Sequence, residues 1–496
     1  MSVNDVPASA VETGLPVEWG VERTMTDFEA MLWRLEADPR LRSPVAVLEV
    51  LDRTPGRDRF LAAHEWASRL LPRTRMRVVD TPLHLGNPLW AVDPNFDLSF
   101  HVRRQHLPSP STFEQALRVC QTVVSEPFDP ARPPWQALLI EGPDGGPAVY
   151  LLKTHHSLTD GLGGMQMLAL LHSRRRRHIA HKWQSEPPAG EPIGPWRALS
   201  EQVAGGVRAA PARLAATVLH APRTLAPLVT RPTHAAAGLR YLRSLNRMLA
   251  PPACRPSPLL RGRSLSYRFS VLETTVDALK RAGKAGGGSL NDAYIAALLG
   301  GLRRYHEALD CPIDQLPMAM PLSIRAGGNP MGGNRFTGAR FAAPVGIADP
   351  AERIAAVHGI VLGVRDEPAL DALRLLAPAL SRIPAPLLTT WYAGQSTRLD
   401  LQASNFRGIP VPVYLAGARI ERMFPFGPLP GCALMVVLAS HCGTCCIGIN
   451  ADPAAVTEPE LFLRCMQAGL DEVLHLGGES TPRSLAAWRK AWEKAL

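Results

Sequence analysis

The run AVYLLKTHHSLTDGLGG at residues 148–164 joins two kinds of pattern. Residues 148–152 form a short apolar stretch with a β-branched member and read as a buried strand, while Leu and Met recur at helical spacing between Gly161 and Leu171. His155, His156, Asp160 and Gly161 therefore fall on the connection. A loop held between two rigid elements is where reactive groups are usually placed, and Thr159 or Asp160 suits the N-cap of the following helix. Strand, loop and helix together make an α/β unit. On residue types alone, two histidines and an aspartate fit structural hydrogen bonding or metal ligation as well as acid–base chemistry.

Upstream, residues 25–36 carry Phe28, Met31, Leu32 and Leu35 at helical spacing, and residues 44–51 are strand-like in content. Amphipathic helices follow at 60–71 and 112–124, with strands around 90–102 and at 135–141. Downstream, the alternating SLSYRFSV at 264–271 starts a second α/β portion, followed by a helix near 276–285. Gly286 to Gly288 form a loop, and Ser289 or Asn291 can cap the long apolar helix behind it. A strand at 318–324 ends at Arg325 and a glycine-rich turn region, helices follow at 351–365 and 370–380, and residues 389–392 lead toward SNFRGIP. ALMVVLASHCGTCCIGIN reads as two strands around a tight turn, and 461–474 as a closing amphipathic helix with a peripheral tail after Gly477.

A chain of 496 residues is longer than one hydrophobic core usually serves, so two to three domains are expected. Its 46% hydrophobic and 20% charged residues describe a soluble globular protein. Eight cysteines are too sparse for a disulfide framework and fit a reducing cytosol. The CGTCC run at 442–446 raises zinc, but that ion normally takes two well-spaced ligand pairs and only His441 joins these thiols locally, so no metal is expected. The first twenty residues lack a basic start and an apolar core, and no run reaches the ~18 apolar residues of a spanning helix. A cytoplasmic protein with at most peripheral membrane contact is expected.

Positive charge is concentrated in one segment. Residues 174–263 hold 16 Lys and Arg against three acids, a local +13 that exceeds the whole chain's +10. Val, Leu and Tyr lie between arginines at 203–219 and 239–249 in a pattern consistent with basic amphipathic helices. A solvated linker, a contact with an anionic lipid surface and a phosphate-facing patch for CoA all fit this composition. Nucleic-acid binding fits less well, because no recognition motif or aromatic series accompanies the charge. His172, His178 and His181, beside the arginines, are expected to be exposed.

HHSLTDG at 155–161 is similar to the HHxxxDG motif of the CoA-dependent acyltransferase superfamily. NPLW (87–90), FDLSFHV (96–102), PFDPARPPW (127–135), SLNDAYIAAL (289–298), PLSIR (321–325), GGNRF (332–336) and SNFRGIPVPVYLAGA (404–418) resemble, in order, segments of wax ester synthase/diacylglycerol acyltransferases. The resemblance spans residues 25–476. It implies an α/β fold with mixed sheets, built as two chloramphenicol-acetyltransferase-like halves, 1–175 and 264–496, with 176–263 as linker and an active-site tunnel between the halves. It also implies His156 as general base, returning its proton to the departing CoA thiolate, with His155 supportive. Neutral histidine, with a reference pKa of about 6.5, suits the task, and no GxSxG elbow suggests an acyl-enzyme. By the same resemblance Asp160 is structural and pairs with Arg325, Gly161 keeps side chains out of the tunnel, and Asn291 helps place the thioester or its oxyanion. Arg42, Ser43 and Pro44 replace the Met-His-Val-like start usual in the family, so the acyl-pocket shape is not carried over.

The implied donor is fatty acyl-CoA, a cosubstrate rather than a cofactor, and the implied acceptor is diacylglycerol or a long-chain alcohol. No cofactor and no nucleic-acid partner is expected. The protein would sit on the inner face of the plasma membrane or on lipid droplets. Two other readings stand beside this one: a carrier-protein-dependent condensation or ester-forming acyltransferase, and a non-catalytic lipid-binding homologue.

Overall fold

The computed structural model describes residues 19–20, 22–142, 145–177, 184–204, 239–241, 243–246, 250, 252–323, 334, 336–367, 372–478, 488 and 492. The first half runs α1 (Asp27–Leu35), β1 (Pro44–Leu51), α2 (Arg57–Leu70), β2 (Met76–Val79), β3 (Leu89–Val92), β4 (Val102–His106), α3 (Phe113–Ser125), β5 (Trp135–Glu141), β6 (Ala148–His155) and α4 (Gly161–Leu171). The second runs β7 (Arg268–Thr275), α5 (Val276–Ala285), α6 (Leu290–Ala308), β8 (Gln315–Ser323), β9 (Phe336–Pro344), α7 (Pro350–Arg365), α8 (Ala372–Leu380) and α9 (Ala385–Ser396). It closes with β10 (Leu401–Phe406), β11 (Tyr414–Leu415), β12 (Ala418–Phe426), β13 (Leu434–His441), β14 (Thr444–Ala451) and α10 (Pro459–Leu476). Local chemistry sets several starts. Thr26 with Glu29, Thr112 with Gln115 and Ser289 with Asp292 form reciprocal capping boxes at α1, α3 and α6. The cap of the long apolar helix is thus Ser289, not Asn291.

Two six-stranded mixed sheets carry the architecture, ordered β11-β12-β1-β6-β5-β4 and β7-β14-β13-β10-β8-β9. Every residue of β6 is buried, which explains its unbroken apolar run. Ala148, Tyr150 and Leu152 face α2 and α4, whereas Val149 and Leu151 face the cluster shared with the second sheet. That shared cluster includes Phe269 of β7 stacked on Phe426 of β12, with ring centroids 4.0 Å apart. Cys445 and Cys446, adjacent on β14, point to opposite faces: one enters the core of the second half and the other the shared cluster. Burial pushes both thiols up to about 12, so they pack as small apolar groups. Helices α6 and α10 cross at glycines, where a Cβ on Gly469 would lie 2.2 Å from the Gly301 nitrogen.

Three features depart from the sequence reading. Residues 414–426 belong by chain order to the second half, yet β12 pairs antiparallel with β1, aligning Ala46 with Phe426, so they complete the first half's sheet. The tail after Gly477 is not merely peripheral. Trp488 and Trp492 are buried on the shared cluster, their indole nitrogens donating to Glu273 Oε1 (2.7 Å) and to the Ser111 carbonyl (2.6 Å). His172 is buried rather than exposed, its Nε2 3.1 Å from Oε2 of the equally buried Glu49. His178, His181 and most of the proposed amphipathic segments lie outside the described residues. Residues 389–392 fall within α9, whose first turn holds Pro386 at a position that needs no backbone N–H donor.

Removing one partner of a fully buried polar pair strands the other. His172→Ala is therefore expected to lower unfolding stability by about 3 kcal/mol, read as a reduced urea midpoint at unchanged slope.

Candidate active site

His155 and His156 leave β6 in different directions, and their hydrogen bonds give them opposite tautomers. His155 is fully buried between the rings of Trp33 and Phe128. Its Nδ1 accepts from the Ser157 backbone N–H (3.1 Å), so the proton sits on Nε2 and is donated to Glu36 Oε2 at 3.1 Å. Burial by itself would raise Glu36, but the hydrogen bond it accepts from His155 helps hold that carboxyl below its ordinary value. His155 is thus a wedge that fixes the turn.

His156 is partly exposed to a cavity instead. Its backbone N–H donates to the Ser43 carbonyl at 2.9 Å, so the stretch where this chain departs from the family's usual start anchors the histidine. Its Nδ1 lies 3.1 Å from Oδ1 of Asn334. Burial lowers the His156 pKa from 6.5, with partial opposition from its own backbone, Asp160 and Asn334, so the imidazole is neutral near pH 7.

Asp160 caps α4, its Oδ1 accepting from the Gly163 N–H at 2.9 Å. Arg325 lies outside the described residues, so the expected pairing with Asp160 does not enter the description. Gly161 faces Phe406 of β10, and a Cβ there would come within 3.1 Å of that ring. Asn291 stands one residue behind the cavity wall: its Oδ1 is 3.5 Å from Nδ2 of Asn405, which lines the wall.

The cavity has a volume of about 240 Å³ and lies between the halves. Leu32, Val47, Met165 and Leu168 line it from the first half, Phe406 and Met435 from the second, and His156 stands in its wall. Other quoted motifs pack in the first-half core to which Met165 and Leu168 also belong. In NPLW, Trp90 lies beneath the Arg73 guanidinium at 4.5 Å. In FDLSFHV, His101 stacks on Trp135 with centroids 4.6 Å apart, and burial lowers its pKa to about 4. Sequence reasoning missed Glu36, Asn334 and Asn405. Asn334 and Asn405 sat in the motifs GGNRF and SNFRG without a role, and nothing local marked Glu36 beyond its place at a helix end.

Residues 25–294 match the wax ester synthase/diacylglycerol acyltransferase catalytic domain, and residues 332–473 match the C-terminal domain of that family. The chain belongs to the wax ester synthase/diacylglycerol acyltransferase family. A Mycobacterium tuberculosis (strain H37Rv) protein bearing a diacylglycerol O-acyltransferase name is 42% identical over 462 residues, 92% of this chain and 93% of that one. A second protein so named from the same strain is 27% identical over 440 residues, covering 85% and 90%.

Among solved structures, the wax ester synthase/diacylglycerol acyltransferase of Marinobacter aquaeolei VT8 superposes with a TM-score of 0.59 at 21% identity, covering 92% of this chain and all of that one. The first condensation domain of the calcium-dependent antibiotic synthetase gives 0.58 at 16% identity, covering 94% and 98%. At such identities the likeness is one of fold: two chloramphenicol-acetyltransferase-like halves with the cavity between them. For this family member, HHSLTDG supplies both the fold signature and the histidine that faces the cavity.

Proposed function

We propose that this family member transfers a long-chain acyl group from acyl-CoA to diacylglycerol or a long-chain alcohol, with His156 as general base. The observation that carries the reading is a neutral imidazole, its Nδ1 engaged by Asn334, in the wall of an apolar cavity between two halves. A proton on Nδ1 leaves the Nε2 lone pair as the basic position. Nε2 takes the acceptor hydroxyl proton as its oxygen bonds to the thioester carbonyl carbon; the C–S bond then breaks and the same proton passes to the CoA thiolate. Nothing is consumed but the two substrates, and no cofactor enters the step. Asp160 holds the helix start, Gly161 leaves room for Phe406, and Asn405, oriented from behind by Asn291, supplies an amide N–H for the thioester carbonyl. His155 acts through the turn it anchors.

Both acceptors partition into membranes, so the enzyme works at a lipid surface of the cytoplasmic membrane or of lipid droplets. Among the described residues no helix is long and apolar enough to cross a membrane. Of the four arginines at 174–177, Arg176 is an internal tie, pairing with Asp52 at 2.6 Å over the Tyr414 ring. Arg174, Arg175 and Arg177 are exposed and available to anionic headgroups. Changing these three to Ser, with Arg176 kept, is expected to weaken flotation on anionic vesicles at low salt; unchanged flotation would rule them out as the anchor.

The central test is thiol release from palmitoyl-CoA with diacylglycerol and hexadecanol supplied separately. Acceptor-dependent release supports acyl transfer and ranks the two alcohols. No release with either from folded, lipid-bound protein would sink the proposal in favour of a binding protein.

A further inference from the structure

We infer that Asn334 is a positioning residue that sets the tautomer and rotamer of His156, and that it is itself held by Glu29 from α1. This deepens the reading of His156 as base and rests on it. Asn334 is 5% exposed. Its Nδ2 donates to the His156 carbonyl at 2.8 Å and lies 3.4 Å from the Ser157 carbonyl. Two carbonyls on one side fix which end of the amide is nitrogen, so Oδ1 must face the imidazole. An amide oxygen is only an acceptor. The His156 Nδ1 opposite it, 3.1 Å away, must therefore carry the proton, in the same sense as the ring's hydrogen bond to its own backbone, and this puts the lone pair on Nε2. One amide thus grips both the main chain and the ring of the same residue.

Asn334 is in turn placed by a carboxylate serving two purposes. Glu29 Oε2 accepts from the Thr26 N–H at 3.0 Å in the capping box of α1, while Oε1 accepts from the Asn334 N–H at 3.2 Å. The same helix contributes Leu32 to the cavity wall. Helix α1, Asn334 and the base are consequently one connected unit. Asp160 and His155 are the titratable groups that act on His156 from its own loop; Asn334 meets it from the other half without charge.

The test uses the full chain with 15N-labelled histidine. The parent is expected to show His156 as the Nδ1–H tautomer by imidazole nitrogen shifts, and Asn334→Ala to lose that single tautomer. In the same variant kcat for acceptor-dependent thiol release is expected to fall about 10²-fold with little change in KM. Asn334→Asp, nearly isosteric, keeps an acceptor at Nδ1 but gives up the hydrogen bonds to the two main-chain carbonyls and adds a negative charge. It is expected to retain the tautomer and to move the acid limb of kcat/KM upward by about one pH unit. An Nε2–H tautomer in the parent, or an unmoved tautomer and acid limb in both variants, would overturn the inference. If the parent transfers no acyl group, the nitrogen shifts alone decide whether Asn334 sets the tautomer, so failure of the acyltransferase reading is told apart from failure of this one.

Discussion

His156→Ala is expected to lower kcat/KM for acceptor-dependent thiol release by about 10²–10⁴-fold, the range that a positioned general base contributes. Binding of acyl-CoA should be retained, because the cavity is lined mainly by apolar side chains from both halves. The pH profile of the parent gives a second reading of the same residue. Burial lowers the His156 pKa, so the neutral, basic form persists to lower pH than for a free histidine. The acid limb of kcat/KM should accordingly have its midpoint below 6.5, with activity lost as pH falls through it. A midpoint above 6.5, or an alanine variant as active as the parent, would remove His156 from the chemistry. His155→Ala should instead act chiefly through stability, since that ring is spent on Ser157 and Glu36.

Trp492→Ala is expected to destabilise the fold by about 3–5 kcal/mol, as large-to-small changes at buried aromatic sites do. The ring is 1% exposed, its N–H donates to the Ser111 carbonyl, and it sits beside Phe113 on the cluster shared by the two sheets. Its neighbour Trp488 reaches Glu273, which also pairs with Arg422 of the crossing strand β12 at 2.5 Å. Trp488 and Trp492 thus pin the place where the second half enters the first half's sheet. Trp196→Ala, at a position 72% exposed, serves as control and should change stability by less than about 0.5 kcal/mol. Comparable urea midpoints for the Trp492 and Trp196 variants would mean the tail contributes nothing.

Elements with a local signature were legible. The apolar run ahead of His155, the helical spacing behind Gly161 and the two strands around the tight turn at CGTCC correspond to β6, α4 and the β13–β14 hairpin. Hydrophobic period and capping chemistry act over a few residues, and both are written in consecutive positions. The ordered motifs carried the family for the same reason, and from it the α/β class and the acyl-transfer chemistry.

Contacts between distant positions left no such mark. Arg422 reads the same whether its strand joins the second sheet or, as it does, pairs Val50 of β1 in the first. His172 beside RRRR reads as exposed, and only the fold shows Glu49 waiting 123 positions earlier to bury it. The adjacent pair His155 and His156 shows the division most sharply. Sequence placed two histidines on one loop and identified the reaction class. Which nitrogen of each holds the proton was decided by Glu36, Ser157 and an asparagine 178 positions away, because tautomers follow hydrogen-bond partners and those partners meet only when the two halves close on one another.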